Sequence, residues 1–193
     1  MRTRRALILG TAAWTVAPWV VHAAAAPSYT ARAHRLPKPP SLAVLTMGGQ
    51  ARRLDRELAV TDAPLVLNFV FTTCSTVCSM QTAVLSQVQR TMSKARRPLR
   101  LASITIDPDN DTPEQLRRFA ASFGVAQGWE FYTGHFDDLL KVQKHFDVYR
   151  GSKAAHPPVL WLHASPSAPW LRVEGFPTAD ELFTLLRDLP LEG

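Results

Sequence analysis

Leu65-Val66-Leu67-Asn68-Phe69-Val70-Phe71, followed at once by Thr72-Thr73-Cys74-Ser75-Thr76-Val77-Cys78, is the stretch that decides the fold. Its first half is an almost unbroken apolar run, which suits a central strand covered on both faces. From Ser75 to Met92 the apolar positions Val77, Val84, Leu85, Val88 and Met92 approximate helical spacing. The two cysteines therefore fall at a strand-to-helix turn and in the first helical turn. On a helix, positions four apart share one face. The two sulfurs can chelate one metal ion or close a disulfide. The helix N-terminus carries partial positive charge, which favours thiolates.

Working outward, Leu99 to Ile106 reads as a second strand and Asp107 to Thr112 as a turn. Thr112-Pro113-Glu114-Gln115 is a strong helix start: Thr112 as N-cap, Pro113 at the first helical position, Gln115 completing a capping box. That helix is expected to end near Phe123-Gly124. Trp129 to Tyr132, Pro158 to Leu162 and Trp170 to Glu174 are further strands, while Phe136 to Phe146 and Thr178 to Leu189 are helices. Upstream, Leu42 to Met47 and Gln50 to Leu54 flank Gly48-Gly49 and predict a small β-hairpin. Alternation of strands and helices predicts an α/β sandwich, and the β-hairpin near the end followed by a helix suggests that it is thioredoxin-like. In it a central mixed β-sheet is flanked by helices, with an N-terminal β-hairpin, over residues 42–193.

Residues 26–41, with Pro27, Pro37, Pro39 and Pro40, read as a proline-rich linker. Residues 1–25 read as an export signal or membrane anchor. A basic start (Arg2, Arg4, Arg5) precedes an apolar stretch from Ala6 to Val21 and a small-residue cleavage site at Val21-His22-Ala23. An exported chain is expected in the periplasm or on the outer face of the cytoplasmic membrane. The 193 residues carry a formal net charge of +6. Setting the three N-terminal arginines aside leaves 19 basic against 16 acidic residues, a mild excess that marks no nucleic-acid partner.

Cys74 and Cys78 are the only cysteines. As a staple the pair closes so short a loop that it would contribute only about 2 kcal/mol, so chemistry is the better reason for it. Soft sulfur ligands select Cu(I), Zn or Fe–S, and two thiolates alone make a poor zinc site. Two thiolates and one imidazole suit a three-coordinate copper ion. Six histidines are available. His22 belongs to the signal and His34 to the linker, and His135 and His145 are expected on a surface helix. His156 and His163 bracket an extended run about 23 Å long at roughly 3.3 Å per residue, so only one of them can reach the cysteines. Spacing leaves that choice open, along with the choice between a metal site and a plain staple.

The stretch from Phe69 to Cys78 resembles the copper-site motif of the SCO/SenC family. Ser103-Ile104-Thr105-Ile106-Asp107-Pro108-Asp109-Asn110-Asp111-Thr112-Pro113 is similar to that family's second hallmark. Trp129 to Gly134, and the His156 region followed by Trp170 to Phe176, complete an ordered set covering roughly residues 42–189. The resemblance implies a thioredoxin-like fold and copper, as Cu(I), Cu(II) or both, held by Cys74, Cys78 and His156. It also implies a metallochaperone role in maturing the binuclear copper centre of a respiratory cytochrome oxidase. The expected partners are the copper-bearing oxidase subunit and a thiol reductant or other copper chaperone, with membrane contact through the N-terminal segment. The alternative activity is a thiol–disulfide oxidoreductase keeping the oxidase cysteines reduced. Two positions depart from the family pattern: Ser79 stands where proline is common, and His156 is followed by Pro157-Pro158. Asp107 and Asp111 are expected near the site, as charges or as turn and cap residues.

Overall fold

The computed structural model describes residues 28–59 and 62–189, so the segment read as an export signal lies outside the described residues. Eight strands form one mixed sheet: β1 (Tyr29–His34), β2 (Ala43–Thr46), β3 (Ala51–Arg53), β4 (Leu65–Val70), β5 (Arg100–Thr105), β6 (Trp129–Thr133), β7 (Val159–His163) and β8 (Trp170–Gly175). Their order across the sheet is β1-β8-β7-β4-β5-β6-β2-β3. The helices are α1 (Leu54–Glu57), α2 (Val77–Lys94), α3 (Pro113–Ser122), α4 (Phe136–His145) and α5 (Ala179–Asp188). Strands β4, β5 and β6 run parallel, joined by crossovers through α2 and α3, and β7 returns antiparallel to β4. Among the described residues no helix is long and apolar enough to cross a membrane.

Every residue of β4 is buried, as its unbroken apolar run requires of a strand covered on both sides. Pleating sends alternate side chains to opposite faces. Leu65, Leu67 and Phe69 join one core with Ile104, Tyr132, Trp161 and the α4 residues Leu139 and Val142. Val66 and Val70 join the other, with Leu85 and Val88 of α2, Leu116 of α3, and Leu182 and Leu186 of α5. Cys78 lies in this second core, and Phe71, just past the end of β4, packs against both.

The helix starts follow local chemistry. The Thr112 side chain accepts from Gln115 N–H at 3.3 Å, with Pro113 at the first position. The reciprocal half of the expected capping box is replaced, because Thr112 N–H donates to the Asn110 carbonyl at 3.1 Å. A complete box forms instead at α5, where Thr178 and Glu181 cap each other. The glycine hairpin is present, with Ala43 opposite Arg53 and Leu45 opposite Ala51.

The linker reading differs from the structure over residues 29–34. These pair antiparallel with β8, from Tyr29 opposite Gly175 to His34 opposite Trp170. The segment lies between Pro27 and Pro37, so its backbone donors are intact, and it satisfies them on the open edge of β8. The ordered domain accordingly includes residues upstream of 42.

Candidate metal centre

The chain leaves β4 at Val70 and turns at Phe71, whose carbonyl accepts from Cys74 N–H at 3.1 Å. Thr72 fixes this turn from outside. Its backbone N–H and Oγ1 both donate to the Asp111 carboxylate, at 3.1 and 2.6 Å, and Thr105 Oγ1 donates to the other carboxylate oxygen at 2.5 Å. Asp111 is fully buried. Burial raises its carboxyl above the ordinary range, the threonine hydrogen bonds oppose that, and the charge of Asp107 adds to the rise. Asp111 is thus a tether for the cysteine turn, neither an exposed charge nor a cap.

Both cysteines are free thiols, and they differ. Cys74 is partly exposed. Burial works against its thiolate, but hydrogen bonds from Cys78 and Thr76 outweigh it and leave the thiol below its ordinary value. The central bond is Cys78 N–H donating to Cys74 Sγ at 3.5 Å, the helix-terminal donor expected to favour a thiolate. Cys78 is 1% exposed. Burial pushes its thiol up to about 12, with the neighbouring Cys74 and Asp111 charges adding to the rise against a hydrogen bond to Phe71 backbone. Ser79, at the position where proline is common, donates from its hydroxyl to the Cys74 carbonyl at 2.8 Å and so supports the turn.

His156 sits just after a 3-10 turn, Lys153–Ala155, on the approach to β7. Its ring meets Phe69 edge-on with centroids 6.3 Å apart. Burial lowers its pKa, the backbone of Phe69 and Val148 opposes this, and Arg150 adds to the lowering. Nε2 is buried without a hydrogen-bond partner among the described residues. An unpartnered Nε2 is the nitrogen through which a neutral imidazole can offer a lone pair to a metal. Lys153 anchors this segment: its ammonium pairs with Asp107 at 2.5 Å and lies 5.7 Å over the Phe71 ring.

The structure therefore brings the two cysteines together and puts His156 at the same end of the sheet, on the face opposite Cys78. Among the described residues, no three of His, Cys, Asp and Glu stand grouped as a ready metal site. The donor chemistry nevertheless fits a soft cation, with one depressed thiol, one buried thiol and one unpartnered imidazole nitrogen. His163 stands at the far end of β4, opposite Leu65, with Nε2 against the Ala168 carbonyl at 3.2 Å and its ring stacked on Trp170. His135 is exposed at the N-cap of α4, while His145, read as solvated, is half-buried edge-on to Phe146. His34 lies in β1 against Trp161, and His22 is outside the described residues. Thr72, Thr105 and Lys153 escape the sequence reading. The Asp-rich turn after β5 is the one signal that points to the first two.

The sequence profile of the SCO1/SenC family matches residues 50–161. A SCO1 protein homolog of Bacillus subtilis is 36% identical over 69 residues, 35% of this chain and 36% of the relative. The chain thus spans about a third of that curated relative's length in the match. Solved structures share the fold. BsSco, described as a member of the Sco family of cytochrome c oxidase assembly proteins, superposes with a TM-score of 0.66 at 21% identity. That match covers 81% of this chain and 94% of BsSco. Bradyrhizobium japonicum ScoI with copper bound gives 0.61 at 23% identity over 77% and 97% of the two chains. Yeast Sco1 with copper bound gives 0.65 at 20% over 78% and 87%. The four sequence hallmarks, the mixed sheet and the profile match over most of the domain agree, and this chain belongs to the SCO1/SenC family.

Proposed function

We propose that the chain binds one copper ion through Cys74, Cys78 and His156 and helps mature the binuclear copper centre of a respiratory cytochrome oxidase. The observation that carries this reading is the unequal cysteine pair at the same end of the sheet as a buried imidazole whose Nε2 has no partner among the described residues. Two thiolates and a neutral imidazole suit a three-coordinate soft ion and leave a position through which it can be handed on. Cys74, partly exposed and lowered, is the first ligand. Cys78 gives up its proton as the second bond forms, which keeps the buried sulfur neutral until the metal arrives. His156 closes the set when the segment around it moves toward the cysteine turn. Copper-bound ScoI and Sco1, and the oxidase-assembly description of BsSco, support the cargo and the partner. The basic start and apolar stretch of residues 1–25 support export to the outer face of the cytoplasmic membrane, and a related Bacillus anthracis protein is described as a lipoprotein.

Copper titration of the reduced protein tests this reading. One equivalent is expected. Cys74→Ser or Cys78→Ser abolishes tight binding, His156→Ala weakens it, and His163→Ala leaves it unchanged. A single cysteine variant that holds copper as tightly as the wild type overturns the site, and a reversed histidine result moves the third ligand to His163.

The same asymmetry favours a second reading, thiol–disulfide exchange. Cys74 thiolate would attack a partner disulfide and release one partner thiolate. Cys78, losing its proton, would then attack the mixed disulfide and release the second. The partner gains two electrons and the Cys74–Cys78 disulfide forms. Turnover with a disulfide substrate, set against copper stoichiometry, separates the two readings.

A further inference from the structure

At the β1 edge of the sheet lies an open groove of about 400 Å³ whose lining includes Trp161, Arg172 and Arg32. That volume falls within the roughly 300–1,000 Å³ of sites that take small organic ligands. The three residues form a row across neighbouring strands. Trp161 of β7 stands opposite Arg172 of β8, which stands opposite Arg32 of β1. Directly opposed residues share one face of a sheet, so two guanidinium groups meet across the outermost strand pair. Like charges so placed work against pairing unless something negative offsets them.

Arg172 has its own counter-charges. Its Nε donates to Glu174 at 2.5 Å, and its Nη1 donates to the Phe146 and Asp147 carbonyls at 3.2 and 3.1 Å and to the Asp147 carboxylate at 3.3 Å. None of these bonds uses Nη2. Asp147 is engaged by Arg150 as well. Both acidic residues that line the groove are therefore spent. The Arg32 guanidinium, by contrast, has neither ion pair nor hydrogen bond among the described residues. Trp161 adds another unmet donor: it is 1% exposed, and its indole Nε1 is buried without a partner among the described residues. A buried indole N–H ordinarily finds an acceptor. The groove thus has donors and one positive charge to spare, and what it lacks is an acceptor.

Its remaining walls are apolar in part. Leu36 packs against the core, and the His34 ring lies edge-on to Trp161 with centroids 5.5 Å apart. A carboxylate alone would leave most of the volume unfilled, and an apolar body beside it would use these walls. A dianion such as phosphate would bring a second charge against Asp147 and Glu174, whose side chains are 74% and 52% exposed on the rim.

We propose that this groove binds a small organic monocarboxylate, its oxygens held by Arg32 and by Arg172 Nη2 and its apolar body against Leu36 and His34. Guanidinium and carboxylate match as a two-pronged pair, and an oxygen drawn in beside Arg172 supplies the acceptor that the Trp161 indole lacks. The site contains none of the proposed copper ligands, so it stands or falls apart from the copper reading.

Titration of the nitrogen-15-labelled full chain, reduced and metal-free, with hydrocinnamate tests the proposal. The Trp161 indole N–H signal is expected to shift and saturate below about 10 mM ligand, while the Trp129 indole, already bonded to Ser103 at 2.8 Å, stays in place as an internal reference. The uncharged hydrocinnamamide and inorganic phosphate should each bind at least about ten-fold more weakly. Arg32→Gln, at an exposed position of β1, should weaken hydrocinnamate at least about ten-fold and leave the melting temperature equal or higher, because a like charge is gone from opposite Arg172. A Trp161 signal that does not saturate overturns the proposal, as does affinity untouched by Arg32→Gln. Equal binding of the amide or of phosphate overturns it as well.

Discussion

The two thiols of the cysteine pair should react at very different rates. Burial places the Cys78 thiol at about 12, whereas Cys74 falls below the ordinary thiol value of 9.0. At pH 8 the thiolate fraction of Cys78 is about 0.01%, on the order of 10³ below that of an ordinary thiol at 9.0, and Cys74 is shifted further in the ionised direction. The more basic thiolate is intrinsically the stronger nucleophile, and a Brønsted slope near 0.5 over about three pH units returns roughly 1.5 decades. The net chemical preference for Cys74 is then about 30-fold. Access widens it, because Cys78 is 1% exposed and Cys74 sits at the surface of the turn. The assay is a brief pulse of iodoacetamide on the reduced, metal-free protein at pH 8, with the modified cysteine located by fragment-ion mass spectrometry. No Lys or Arg separates Cys74 from Cys78, so one tryptic peptide holds both and peptide mass alone is not enough. Equal labelling, or faster labelling of Cys78, would refute the account of the site, because no arrangement with a buried neutral Cys78 permits either.

Copper affinity should tighten as pH rises between 6 and 8, by at least about ten-fold per unit. The Cys78 proton must leave on binding and its thiol lies far above this window, so a flat profile in competition titrations would contradict proton release. Asp111→Ala removes the acceptor for Thr72 N–H, Thr72 Oγ1 and Thr105 Oγ1, and should cost roughly 2–4 kcal/mol in urea unfolding through the buried donors it leaves unmet. Because burial raises Asp111, the folded state holds that proton more tightly than the unfolded chain. The advantage of wild type over Asp111→Asn should therefore be largest at acid pH, below the unfolded carboxyl value, and shrink as pH rises through the folded one. Gly175→Ala drives a methyl against the Ser28 carbonyl at a left-handed position. It should lose about 1–3 kcal/mol of thermal stability, with faster amide exchange across β1.

What was legible in the sequence is what short-range physics encodes. The apolar run Leu65–Phe71 announced a doubly covered strand, and Thr112-Pro113 and Thr178 announced helix starts that the backbone obeys. The cysteine spacing placed the pair at a helix start whose backbone donors favour a thiolate, and the Cys78 N–H bond to Cys74 is such a donor, whereas the burial that raises Cys78 had no local signal. The strand β1 was not legible, because its interior positions are all exposed and lack an alternating apolar face. Its place is set by β8, about 140 residues downstream. Asp111 could be read only as a charge near the site or as a turn or cap residue, since its burial depends on Thr72 and Thr105 arriving from two different strand ends. The placing of His156 against Phe69 likewise depends on a loop closing over the sheet, which no local pattern announces.

The proposed donors come from opposite faces of the sheet, with Phe71 between them packed into both cores. An ion bound by all three would act as a rivet through the top edge, joining the cysteine turn to the segment that carries Arg150 and Lys153. Occupancy and local order would then rise together, and trypsin cleavage after those two residues would fall as the site fills. A partner receiving the ion would meet a different surface before and after delivery, because withdrawing the rivet releases the segment that had closed over the cysteines. Unloading would in that way change the contact that made delivery possible and speed the departure of the emptied carrier.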